Sequence, residues 1–310
     1  MPDLRLALMF ACTHPAIDPA ARAPLILQTV LGFDARRIAA AFIQSPDAIA
    51  QRLVRAKRKI RDAKISMHVP DMAAMPERLE AVLDAIYVAF ADGWGHPHDA
   101  TMERQGLTAE AIRLARLVVG LAEREPEPLG MLGLLLYVES RRVAHRPAGG
   151  GYVPLSDQDP SAWDGALIDE AERLLDRAAV AHRTGRFQLE AAIQSVHAAR
   201  RHTGATDWPA LVLLYDELLR RTGSDVVAIN RAVARAAVHG PAVGLTDLDA
   251  MQTGGGMATY QPYWAARAEM LARRGNRPAA HDAYQRAIGL ASDPDVRRFL
   301  MDRSERAHAV

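Results

Sequence analysis

Helix-starting signatures recur along this chain. Asp18-Pro19 pairs an acceptor side chain with a proline at the first helical position. Ser45-Pro46-Asp47 repeats the pattern and adds an acid facing the positive end of the helix dipole. Between such starts apolar residues keep a helical spacing. Ala, Leu and Arg dominate while aromatics are only 5%, a balance that favours helix over strand. The expected fold is therefore all-α. Four helices fall in the first seventy residues: 4–11, 19 to about 30, 35–42 behind the cap Asp34, and 46–61. Pro24 is expected to kink the second helix or delay its start. A linker at 66–76, with Pro70 and Pro76, sets a domain boundary near residue 70. Helices are then expected from 77–91 to 294–307, broken by loops at 92–106 and 144–163. The second loop is expected to hold a short hairpin around Tyr152-Val153.

The formal net charge of +1 conceals two opposed halves. Residues 1–70 hold 11 basic and 5 acidic side chains, whereas residues 71–310 hold 27 and 32. All three lysines, Lys57, Lys59 and Lys64, lie within eight residues. This pattern suggests a basic module joined to an acidic body. A single cysteine excludes a disulfide framework and fits a reducing cytoplasm. No apolar run is long enough for a transmembrane helix, and no membrane partner is expected.

The acidic body carries a repeat-like spacing. Trp264, Ala268, Gly275, Ala280, Tyr284 and Ala287 follow the large, small, turn, small, aromatic, small order of a tetratricopeptide repeat. Stepping back by about 34 residues gives Val233 and Ala199 at the Ala268 position, and Asp249 and Tyr215 at the Tyr284 position. Three tetratricopeptide-like helix pairs are expected over about 186–307, the Asp249 unit being degenerate. Trp264, Ala268, Tyr284 and Tyr215 are expected to be packing residues. An irregular bundle with a chance period remains the alternative.

Residues 34–61 carry the functional signal. Two helices flank a short turn (Ile43, Gln44, Ser45), and the second is strongly basic, as in a helix-turn-helix. On a helical wheel Ile49, Leu53, Ala56 and Ile60 form one apolar stripe, expected to dock on Ile38, Ala39 and Phe42. The opposite side presents Gln51, Arg52, Arg55, Lys57, Arg58, Lys59 and Arg61 as candidate DNA-binding residues. Gln51 suits adenine and Arg52 or Arg55 suit guanine, with Lys57, Arg58, Lys59 and Arg61 nearer phosphates. A basic, solvated helix with no DNA role is the competing reading.

The strings Arg36-Arg37-Ile38-Ala39-Ala40-Ala41-Phe42 and Ile49-Ala50-Gln51-Arg52-Leu53-Val54-Arg55-Ala56-Lys57-Arg58-Lys59-Ile60 resemble region 4 of an extracytoplasmic-function sigma factor. The chain is similar in particular to the group with a tetratricopeptide-like C-terminal extension. Glu139-Ser140-Arg141-Arg142, Gln188-Leu189-Glu190-Ala191-Ala192-Ile193 and Arg297-Arg298-Phe299-Leu300 fit that extension. The resemblance implies recognition of a promoter −35 element and contact with the β-subunit flap of RNA polymerase. It implies also that the extension modulates activity, with a regulatory protein as a further expected partner. Nothing in the chain resembles region 2. A protein-interaction scaffold with a vestigial helix-turn-helix is the rival function.

No enzyme, cofactor or metal is expected. Gly95-His96-Pro97-His98-Asp99 lacks a fourth ligand and helical ligand spacing. Cys12-Thr13-His14 reads as core rather than as a thiolate–imidazole pair. Gly254-Gly255-Gly256 lacks the strand and the Lys-Ser/Thr of a phosphate loop.

Overall fold

The computed structural model describes residues 4–42, 44–65, 69–70, 74–95, 102–147, 150–251 and 257–309. Among these, every regular element is helical, and the fold is all-α. The helices are α1 (Leu4–Cys12), α2 (Pro19–Thr29), α3 (Ala35–Ala41), α4 (Pro46–Asp62), α5 (Met75–Gly95), α6 (Met102–Leu121), α7 (Pro126–Glu139), α8 (Arg142–His145) and α9 (Gly165–Ala179). They continue as α10 (Arg186–Ala198), α11 (Arg200–Thr203), α12 (Trp208–Thr222), α13 (Asp225–His239), α14 (Pro241–Ala250), α15 (Gln261–Arg273), α16 (Arg277–Leu290) and α17 (Pro294–Ala309). No helix among the described residues is long and apolar enough to cross a membrane.

Two compact units divide the chain. The first comprises residues 1–135 and 176–184, the second residues 136–175 and 185–310. The boundary expected near residue 70 lies inside the first unit. The reason is burial: α2 packs on α5, and α1 touches both α5 and α6. Leu25, Ile26, Val82, Ala85, Ile86, Leu114 and Ala115 are fully buried in that unit. Arg37 on α3 also pairs with Asp92 on α5. The amino-terminal helices thus share their core with α5 and α6.

The structure departs from the sequence reading at several places. α5 runs through Asp92-Gly93 to Gly95, because Asp92 is held by Arg37 and Trp94 stacks on Phe90 at 6.1 Å. Residues 186–202 break at Ala199 into α10 and α11. Around Tyr152-Val153 no strand forms among the described residues. Tyr152 instead packs edge-on against His145 and Phe299, and the Val153 N–H donates to the His145 carbonyl at 3.1 Å.

In the second unit each helix from α12 to α17 packs on the next, and α10 packs on α12. Gly240 and Gly275, with φ of +93° and +74°, make the turns into α14 and α16, a conformation glycine adopts without steric cost. Ala268, Ala280 and Ala287 are wholly buried and Tyr284 nearly so. Tyr215 is half-buried against Leu189, Ile193, Leu211 and Leu218. Trp264 is half-buried, donates to the Ala258 carbonyl and lies under Arg286. Asp249, by contrast, is exposed and pairs with Arg267, so its position contributes no packing.

Candidate nucleic-acid interface

α3 and α4 form because their ends are capped. The Asp34 carboxylate accepts from the Arg37 N–H at 2.8 Å, and the Ser45 hydroxyl accepts from the Ala48 N–H at 3.2 Å. Each satisfies a backbone donor left open in a helix's first turn. Asp47 in the first turn and Lys59 and Arg61 in the last complement the dipole of α4. Ile43, in the turn, lies outside the described residues.

α4 ends in a Schellman motif. The Ile65 N–H donates to the Ile60 carbonyl at 3.1 Å and the Lys64 N–H to the Arg61 carbonyl at 3.3 Å. The residue that makes this turn is Lys64, at φ +48°. Glycine is the usual occupant, and a side chain with a Cβ costs about 1–2 kcal/mol there.

The apolar back of α4 is as the wheel predicts. Ile49 is fully buried, Leu53 and Ala56 nearly so, and Ile60 is half-buried. Ile38 and Ala39 on α3 are buried and Phe42 is half-buried. α4 packs on both α3 and α2. On the other side Gln51, Arg55, Lys57, Arg58, Lys59 and Arg61 are exposed, as is Lys64. Arg58 lies 3.4 Å from Asp62, an exposed pair four residues apart, of a kind worth little in water.

Arg52 is different. It is half-buried, and its Nη1 donates to Gln44 Oε1 at 2.7 Å and to the Ala20 carbonyl at 3.5 Å. Pro24 explains the second contact. Within α2 a residue at position 24 would donate its N–H to the Ala20 carbonyl, but proline has none. α2 is continuous from Pro19 through Pro24, and Arg52 Nη1 lies 3.5 Å from the oxygen that an N–H at position 24 would otherwise serve. The side chain expected at a base edge is turned inward.

Val54, absent from the sequence-based set, is 67% exposed between the positions of Gln51 and Arg58 on the helix surface. Its wheel position, off the apolar stripe, was the signal that could have found it. An exposed aliphatic group amid polar ones suits a thymine methyl.

Where they fall among the described residues, the remaining motifs form no centre. Cys12 is buried, its thiol pushed up by desolvation, with Sγ 3.4 Å from the Thr29 hydroxyl. His14 Nδ1 accepts from the Ala16 N–H. His96 to Asp99 and Gly254 to Gly256 lie outside the described residues. Among the described residues no group of three His, Cys, Asp or Glu side chains is placed to hold a metal ion.

Residues 78–179, from α5 to the end of α9, match the profile of a family of unknown function, DUF6596. Uncharacterized protein R00370 of Rhizobium meliloti (strain 1021) is 37% identical over 295 residues, covering 95% of this chain and 69% of the relative. The chain belongs to this family. No solved structure matches it. The match to the DUF6596 profile begins after the basic helix, so α3 and α4 lie outside the segment that the profile describes. The similarity to the Rhizobium relative extends over nearly the whole chain, and the DUF6596 segment is one part of it.

Proposed function

We propose that this protein binds duplex DNA through α4, as the region-4-like module of a sigma factor that recognises a promoter −35 element and contacts the RNA polymerase flap. One observation carries the reading. A doubly capped helix buries Ile49, Leu53 and Ala56 while exposing Gln51, Arg55, Lys57, Arg58, Lys59 and Arg61. A recognition helix needs that split, because it must pack behind while long donor side chains reach the groove. Lys64 supports it: a cation sits in a turn where glycine would be less strained. Gln51, Val54 and Arg55 are assigned to base edges, Lys57, Arg58, Lys59, Arg61 and Lys64 to phosphates, and Arg52 to holding α4 on α2. The reading requires a cytoplasmic protein, and it makes the helical second unit a regulatory extension rather than an enzyme.

The test is fluorescence anisotropy of the full chain with labelled duplexes between about 50 and 200 mM salt. With about five cations on phosphates, log affinity falls against log salt with a slope of about −4 to −5. Arg55→Glu with Arg58→Glu weakens binding at least about tenfold, since each lost contact is worth roughly 1–3 kcal/mol. The same change at exposed Arg220 on α12 and its neighbour Arg221 leaves binding as it was. A flat salt response, or equal losses from the two pairs, overturns the reading.

A further inference from the structure

The arginines around the start of the second unit are almost all matched to acids. Arg142 reaches Glu139 at 2.7 Å, Arg186 reaches Glu190 at 2.7 Å, and Arg201 reaches Asp169 at 2.6 Å. Arg303 reaches Asp157 at 2.7 Å, and Arg231 pairs with Asp216. Arg141 has no such partner among the described residues. Its Nη2 donates to the neutral Oε1 of Gln194 at 2.7 Å, its one side-chain hydrogen bond among the described residues. Arg141 is half-buried, and holding a guanidinium partly out of water without a counter-charge costs stability. Burial and the nearby Arg200 push the Arg141 pKa down to about 10, so it still carries its charge at neutral pH.

The surroundings of Arg141 add donors and no free acid. Gln194 and His197 lie one turn apart on α10. Burial, together with the charges of Arg141 and Arg200, pushes His197 down to about 4, so its ring is neutral at pH 7. The ring sits edge-on to Trp208 at 6.2 Å. Arg200 is occupied elsewhere: Nη2 donates to the carbonyls of Leu155 and Gln158 at 3.0 and 2.7 Å, and the group lies over Trp163. Tyr215, on α12 against α10, faces the charge of Arg141 while burial and Glu190 push its hydroxyl up to about 12. It is therefore a neutral donor.

We propose that Arg141, Gln194, His197 and Tyr215 form a binding site for a carboxylate, with Arg141 as its charge partner and the Tyr215 hydroxyl as a second donor. Arg141 is the guanidinium left to take a carboxylate, since Arg200 is held by the carbonyls of Leu155 and Gln158. Planar guanidinium donors match the two oxygens of a carboxylate. The acid is either a small molecule or the end of a peptide. The site stands independently of DNA binding by α4.

The full chain is titrated at constant ionic strength with acetate, N-acetylglycine and N-acetylglycinamide. Binding is read by saturation transfer to the acetyl methyl, and phosphate serves as competitor. The two acids bind saturably and the amide does not. N-acetylglycine binding at least about tenfold tighter than acetate assigns a peptide end, and similar affinities assign a small acid. Gln194→Glu supplies the missing acid within the chain. It raises Tm without ligand and weakens acid binding by about tenfold or more. Tyr215→Phe keeps the ring in place and weakens binding a few-fold. Equal binding of amide and acid, unchanged binding by Gln194→Glu, or phosphate displacing acetate at far lower concentration each overturns the proposal.

Discussion

Gly244 lies where three helices of the second unit approach closely. A Cβ added there, in the middle of α14, would lie 2.7 Å from Ala236 Cβ and 2.8 Å from the Ala232 carbonyl oxygen, both on α13. It would also lie 2.8 Å from Met270 Sδ on α15. Carbon atoms in contact prefer about 3.5–4.0 Å, so a methyl group needs about 1 Å that the neighbours must yield. The methionine end can swing aside, but Ala232 O is backbone and Ala236 Cβ moves only with its helix. Forcing a methylene into a filled core costs about 1–3 kcal/mol. Against this, alanine in a helix gains about 0.5–1 kcal/mol over glycine. Gly244→Ala therefore destabilises by about 1–2 kcal/mol, the packing cost exceeding the propensity gain. Gly289→Ala on α16 is the control. Nothing lies within 4 Å of its added Cβ, so it stabilises by about 0.5–1 kcal/mol. Urea unfolding followed by circular dichroism, with Tm in parallel, reads both. If Gly244→Ala stabilised like Gly289→Ala, the close approach of α13, α14 and α15 would be refuted.

Three further outcomes follow from side chains already described. Arg52→Ala removes the donor to Gln44 and to the Ala20 carbonyl, and lowers stability by about 1 kcal/mol. It leaves the salt slope of DNA binding unchanged within error, whereas Lys59→Ala lowers that slope by about 1 in magnitude and spares stability. Lys64→Gly relieves a left-handed residue and raises stability by up to about 1 kcal/mol, while costing one phosphate contact in the anisotropy titration. His145 and His197 are both pushed down to about 4. For His145 the main causes are burial and Arg146, and for His197 burial and Arg141. Unfolding lets each take up a proton below about 6.5. Stability of the second unit is thus flat above about pH 7. It falls between about 6.5 and 4 by as much as about 1.4 kcal/mol per pH unit for each ring. A stability maximum near pH 5 would contradict this.

Much of the helical content was legible in the sequence because its signals are local. Asp18, Asp34 and Ser45 cap the helices they were read to cap. The stripe of Ile49, Leu53 and Ala56 is buried because a period of 3.6 fixes one face whatever it packs against. What escaped depends on partners distant in sequence. Asp92-Gly93 reads as a helix end until Arg37, 55 residues away, holds the carboxylate. The boundary near residue 70 looked firm from the prolines and the charge shift, yet α2 buries its apolar side against α5. Arg52 looked like Arg55 on the wheel, and only the carbonyl left open by Pro24 separates them. The lone guanidinium of Arg141 could not be seen at all, since it is defined by acids already claimed by other arginines.

The link from Pro24 through Ala20 to Arg52 also bears on how such a helix changes over evolutionary time. Positions 51, 54, 55 and 58 hold side chains that point to solvent and can be exchanged with little effect on folding. Position 52 cannot drift in the same way, since a change there disturbs α2 unless position 24 changes with it. On the DNA-binding reading proposed above, new sequence preferences would then arise first at Gln51, Val54 and Arg55. Substitutions at 24 and 52 should appear as a pair, the arginine dispensable only where residue 24 carries its own N–H.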